Sequence, residues 1–161
     1  MLWQFVSWFE RGRLLSLAFA MFTLTWPSSL RSEYIGMRKS LSALIMFFGI
    51  VCCLIALAHI ALGPSAIPGS VPVNATMDSE DRFYATLFLS FGAALIWCSR
   101  DLPSREAPFG VLLLTFFLGG ISRIVSVVSV GWPSVLFISL GSLELALPPL
   151  LWWWHRFTLH K

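Results

Sequence analysis

"SLSALIMFFGIVCCLIALAHIAL", residues 40–62, contains no Asp, Glu, Lys or Arg. A transmembrane α-helix needs about 20 mostly apolar residues, so this run is long enough to cross a bilayer unaided. Three more apolar runs follow, at about residues 82–99, 108–130 and 134–154. Their connections all break helices. "GPSAIPGSVPVN", 63–74, is rich in Gly, Pro and Ser, "SRDLPSREAP", 99–108, is charged and carries two prolines, and "GWPS", 131–134, is a tight turn. Backbone N–H and C=O groups find no water in lipid, so the runs are expected as continuous helices. Short connections then make neighbours antiparallel. The expected fold is all-α, an integral membrane four-helix antiparallel bundle.

Composition agrees. The chain of 161 residues is 57% hydrophobic and 12% charged, with a mean hydropathy of +0.80. Soluble domains carry roughly twice that share of charge. The net charge of +3 comes from scattered residues with no Lys/Arg cluster, so nucleic acid is not an expected partner. The lipid bilayer is, and a membrane protein partner is possible. Cys52, Cys53 and Cys98 all lie in apolar runs and form no Cys-x-x-Cys pair, which points to small apolar fillers. No metal and no cofactor is expected. A phosphate-cradling glycine loop, a His-x-x-x-His spacing and a serine nucleophile elbow are all missing from the sequence.

Basic residues set the expected orientation. Arg31, Arg38 and Lys39 precede the first run, Arg100 and Arg105 lie between the second and third, and Arg156 and Lys161 follow the fourth. The other two connections hold no Lys or Arg before Arg82. This alternation predicts a multi-pass protein of a bacterial plasma (inner) membrane with both termini cytoplasmic. Trp97, Trp132 and Trp152 to Trp154 fall at the predicted interfaces, where amphipathic rings collect.

Residues 1–36 stand apart from the four-helix domain at 37–161. Their apolar run, 14–26, is too short for an ordinary span. It reads as an extra N-terminal interfacial helix, as a poor signal sequence, or as a mis-assigned start preceding "MRKS" at Met37.

The charges inside the apolar runs are the candidate functional residues. On insertion scales one charge at mid-membrane costs about 2.5–3.5 kcal/mol. A residue such as Leu returns only about 0.3–0.6 kcal/mol. Arg123 and Glu144 therefore need a reason. At a rise of about 1.5 Å per residue, Arg123 lies roughly 10 Å, and Glu144 roughly 15 Å, from the turn that joins their helices. They can reach each other. Gly119, Arg123 and Ser126 share one helix face, as do Gly141, Glu144 and Pro148. Gly49, Cys53, Ala56, His59 and Gly63 share another, and small residues let helices approach closely. At the start of the second run stand Asp78, Glu80, Asp81 and Arg82. Asp78 is a plausible N-cap, and acids in a first turn complement the helix dipole.

The candidate ligand-binding residues are thus His59, Glu80, Arg82, Arg123, Ser126 and Glu144, in the outer half of the bundle. Asp78, Gly119, Gly120, Gly141 and Pro148 are read as structural. One reading of the charges is an ion-paired network that fixes helix register. The other is a polar pocket for a small molecule or lipid headgroup, in a binding or accessory protein. A small transporter, or a membrane enzyme using Glu144 and His59 as acid and base, are the alternatives. An enzyme is the less favoured of these.

"DSEDRFYATLFLSFGAALIW" (78–97), "FLGGISRIVS" (117–126) and "GWPSVLFISLGSLELALPPL" (131–150) resemble the bacterial four-helix membrane family catalogued as domain of unknown function 4345. The resemblance covers about Met37 to the C-terminus. It rests on Asp78, Glu80, Arg82, Phe83, Gly119, Gly120, Arg123, Ser126, Pro133, Glu144 and Pro148. It implies a small integral membrane protein and supplies no activity.

Overall fold

The computed structural model describes residues 28–159. The chain divides into a unit of residues 1–37 and a unit of residues 38–161. The described part is all-α, with no strand among the described residues. Four helices follow one another: α1 (Ser28–Leu62), α2 (Ala75–Ser99), α3 (Glu106–Val130) and α4 (Val135–Leu159). A short 3₁₀ turn, Gly63–Ala66, closes α1. All four helices are long and apolar enough to cross a membrane. The last three have 25 residues each, about 37 Å at 1.5 Å per residue, against a hydrocarbon core of about 30 Å.

Two boundaries differ from the sequence reading. Helix α1 begins at Ser28, ahead of Ser40, so residues 28–36 continue into the first span. The expected interfacial helix at 14–26 lies outside the described residues. Helix α2 begins at Ala75 rather than near Arg82, and its N-cap is Asn74, not Asp78. The Asn74 side chain accepts a hydrogen bond from Met77 N at 2.9 Å. Asn serves this role as well as Asp does, which leaves Asp78 in the first turn free to pair with another group.

Residues from all four helices meet in one apolar core. Leu41, Ile45 and Cys52 of α1, Leu95 and Cys98 of α2, Phe109 and Leu113 of α3, and Leu151 of α4 are buried together with Leu102 from the α2–α3 connection. These positions gather around the 100–105 connection. Phe109 packs against His155, ring centroids 5.4 Å apart, and His155 is itself buried. A phenylalanine layer lies further along, where Phe116 meets Phe48 and Phe91, at 5.1 and 5.8 Å. Beyond that layer packing thins, and large apolar side chains such as Ile124, Val125, Val128 and Val130 of α3 stand exposed. In water such a surface would invite association. Against lipid it costs nothing.

Helices α1 and α2 touch backbone to backbone at Gly49 and Gly92. A Cβ on Gly49 would come within 2.8 Å of Gly92 O, and one on Gly92 within 2.7 Å of Cys53 Sγ. Lipid tails are as apolar as Leu, so helices in membranes associate through this kind of close approach.

Candidate functional site

Polar side chains gather at two separate helix interfaces. The first joins the end of α1 to the start of α2. The last carbonyls of any helix lack intrahelical partners, and in α1 two of them are met by a side chain of α2. Arg82 Nη1 donates to Ile60 O and, at 3.4 Å, to Ala61 O. Asp78, one turn before it, holds the guanidinium in place by accepting from Nε at 2.9 Å and Nη2 at 3.2 Å. Gly63 makes this possible. It adopts φ +61°, and a Cβ there would collide with Asp78 Oδ1 and lie 3.0 Å from Arg82 Nη2. A left-handed glycine just past a helix end is a common C-terminal stop. His59 lies one turn further back, its Nδ1 within 3.1 Å and 3.2 Å of the two Asp81 carboxylate oxygens. Glu80 is exposed and takes no part in these contacts.

The second interface joins α3 and α4. Arg123 Nε donates to Glu144 Oε2 at 2.7 Å, and Nη2 donates to Oε1 at 2.8 Å. Two parallel charge-assisted bonds are the strongest form of this pairing. The side chain of Glu144 is 12% exposed and that of Arg123 is 38% exposed, so the carboxylate is the more deeply set partner. Glycines on both helices open the space. A Cβ on Gly141 would stand 3.2 Å from Arg123 Cδ, and one on Gly120 would stand 3.1 Å from Glu144 Cβ and 2.8 Å from Leu145 Cγ. Gly119 is looser, its nearest contact being Glu144 Oε2 at 3.9 Å. The Phe137 ring lies under the guanidinium, 5.5 Å from centroid to Cζ, a cation–π geometry worth about 0.5–1 kcal/mol where partly exposed. Pro148 is buried within α4. It has no N–H, so the Glu144 carbonyl loses its usual partner one turn along.

Beside this pair runs a groove of about 400 Å³. It extends from Trp132 and Pro133 at the α3–α4 turn, past Ser126, Arg123 and Phe137, to Gly120 and Leu145. Gly120 lies ten residues before the end of α3, so the groove is roughly 15 Å deep along the helix. Its charged group, Arg123, is a pure donor, and the Ser126 hydroxyl can donate beside it. Glu144 occupies the Nε–Nη2 edge of Arg123, which leaves the Nη1–Nη2 edge. Four other serines on α3 and α4, Ser122, Ser129, Ser139 and Ser142, spend their hydroxyls on carbonyls of their own helix. Ser126 makes no such bond among the described residues, and it lines the groove one turn from Arg123.

Of the six candidate ligand-binding residues, then, Arg123 and Ser126 line the groove and Glu144 holds Arg123 from behind. His59 and Arg82 belong to the α1–α2 corner, each with its own partner, and Glu80 stands exposed. Glu144 and His59 do not contact each other. Asp81, the partner of His59, was named only among the acids that open the second run, and the groove residues Phe137 and Ser142 were not singled out in the sequence. Phe137 lies one turn before Gly141, on the face that carries Glu144, and that spacing was the available signal. Among the described residues no group of three or more His, Cys, Asp or Glu side chains could hold a metal ion.

No curated protein and no solved structure matches the chain. Residues 40–155 match the family described as Domain of unknown function (DUF4345), which takes in all four apolar runs, Gly63, both sets of paired charges and the groove, and the chain belongs to that family.

Proposed function

We propose that the chain is a multi-pass protein of a bacterial inner membrane, an antiparallel four-helix bundle with both termini cytoplasmic, that binds a small molecule or lipid in the groove beside Arg123. Two ion pairs at opposite ends of α3 and α4 support the antiparallel arrangement. Arg123–Glu144 lies toward the turn, and Arg156–Glu106, at 2.9 Å, toward the far ends. With the cytoplasmic termini that the Lys/Arg alternation favours, the groove opens toward the outer leaflet. The protein acts as a binding or accessory component.

The observation that carries the binding role is the pairing of an arginine edge and a serine hydroxyl, neither used within the described structure, in one groove. Ion pairing alone accounts for Arg123 and Glu144. It leaves the open groove beside the pair without a purpose, whereas binding sites are concave, mostly apolar and furnished with a few placed polar groups.

Native mass spectrometry of detergent-extracted protein tests this reading. The expected result is a retained small molecule or lipid on the wild type that is missing from Ser142→Phe, which fills the groove without touching the ion pair. Identical adducts on both proteins would overturn it.

A further inference from the structure

We infer that the groove selects an uncharged, ester-bearing amphiphile of the glycerolipid class, recognised through its ester carbonyls, and this rests on the binding role proposed above. Charge decides the class. Arg123 is already neutralised by Glu144 through two short bonds. A bound carboxylate or phosphate would leave one net negative charge in a groove flanked by exposed apolar side chains such as Ile124. The membrane cost of such a charge is at least as large as the gain from a charge-assisted hydrogen bond. A neutral carbonyl accepts from the same arginine edge and leaves the pair balanced.

The donors match that chemistry. Arg123 and Ser126 stand one turn apart and both can donate, while no carboxylate lines the groove. A ligand that meets the Arg123 edge must therefore bring an acceptor, because a guanidinium only donates. Depth agrees as well. Arg123 lies seven residues, roughly 10 Å, from the end of a helix longer than the hydrocarbon core. That places it below the charged headgroups, at and beneath the level where acyl esters join the chains. The apolar lining of Ile124, Val127, Phe137 and Leu145 suits the start of an acyl chain.

Fluorescence quenching separates the possibilities, because Trp132 lines the groove. The full chain in maltoside detergent would be titrated with three brominated probes: a monoacylglycerol, a stearate above its ionisation pH, and an alkane. The Trp132 signal is the difference from Trp132→Phe. Saturable quenching by the monoacylglycerol, about tenfold tighter than by alkane or stearate, is expected. Ser126→Ala should weaken the ester probe severalfold and leave the alkane unchanged. The Arg123→Gln/Glu144→Gln double variant, which leaves no lone charge, should abolish the preference for the ester. Equal binding of ester and alkane, or tighter binding of stearate, would overturn this inference and leave the groove's binding role standing. No saturable quenching by any probe would overturn both.

Discussion

Removing either partner of the Arg123–Glu144 pair should destabilise the protein, and the two losses should differ. In Arg123→Gln the remaining charge is Glu144, whose side chain is 12% exposed. In Glu144→Gln it is Arg123, at 38% exposure. A lone buried charge left by a broken pair typically costs about 3–5 kcal/mol in soluble proteins. Coupling in membranes averages only about 0.6 kcal/mol and reaches about 1.7 kcal/mol, because polar groups find other partners. Arg123 has such an outlet, since its guanidinium already borders the groove and lies against Phe137. Glu144 has none, being enclosed by Gly119, Gly120 and the arginine itself. Glu144→Gln should therefore cost about 1 kcal/mol and Arg123→Gln about 2–3 kcal/mol, with the double variant recovering about 1–1.5 kcal/mol relative to their sum. Unfolding in mixed micelles by titration with sodium dodecyl sulfate, followed by far-ultraviolet circular dichroism, gives all four corners of the cycle. Additive losses, or a larger loss in Glu144→Gln, would refute the reasoning.

Three further outcomes follow from particular contacts. Gly92→Ala should cost about 1–3 kcal/mol, since its Cβ would press on Cys53 Sγ and Gly49 O, while Gly119→Ala, with its nearest contact at 3.9 Å, should be neutral or slightly stabilising in the same assay. Gly63→Ala should lower thermal stability by at least the ~1–2 kcal/mol of a left-handed non-glycine residue, with Asp78 and Arg82 displaced as well. An equally stable variant would show that Arg82 does not close α1. Reporter fusions after Gly69 and after Ser104 should read outside and inside respectively, and the reverse pattern would invert the orientation.

The four helices were legible because each is a long apolar run between Gly/Pro-rich or charged breaks, a signal that does not depend on tertiary context. Charge pairs were legible where spacing alone brought residues together. Arg123 and Glu144 lie within about 5 Å of the same depth from one tight turn, an offset the long arginine side chain spans. The Gly49–Cys53–His59–Gly63 face likewise became the α1–α2 contact, with Gly49 and Cys53 meeting Gly92. Three-dimensional packing decided the rest. His59 and Arg82 pair locally with Asp81 and Asp78 instead of reaching the α3–α4 groove, because the 63–74 connection brings the end of α1 directly against the start of α2. Asp78 gave up the expected capping role because Asn74 satisfies the helix start a turn earlier. Arg105 was read only as a positive charge for orientation. In the structure its Nη1 bonds to Trp97 O and its guanidinium lies 4.1 Å over the Trp97 ring, closing the end of α2 as Arg82 closes α1.

The central claim is that the groove beside Arg123 is a binding site, not a gap left by an ion pair. An experimental density map of the full chain, extracted in native membrane lipid, tests it most directly. Elongated density along Ile124, Phe137 and Leu145, ending within about 3 Å of Arg123 and Ser126, is the predicted result. A groove closed by the inward collapse of Phe137 and Leu145, with Arg123 and Glu144 paired and nothing between the helices, would contradict it.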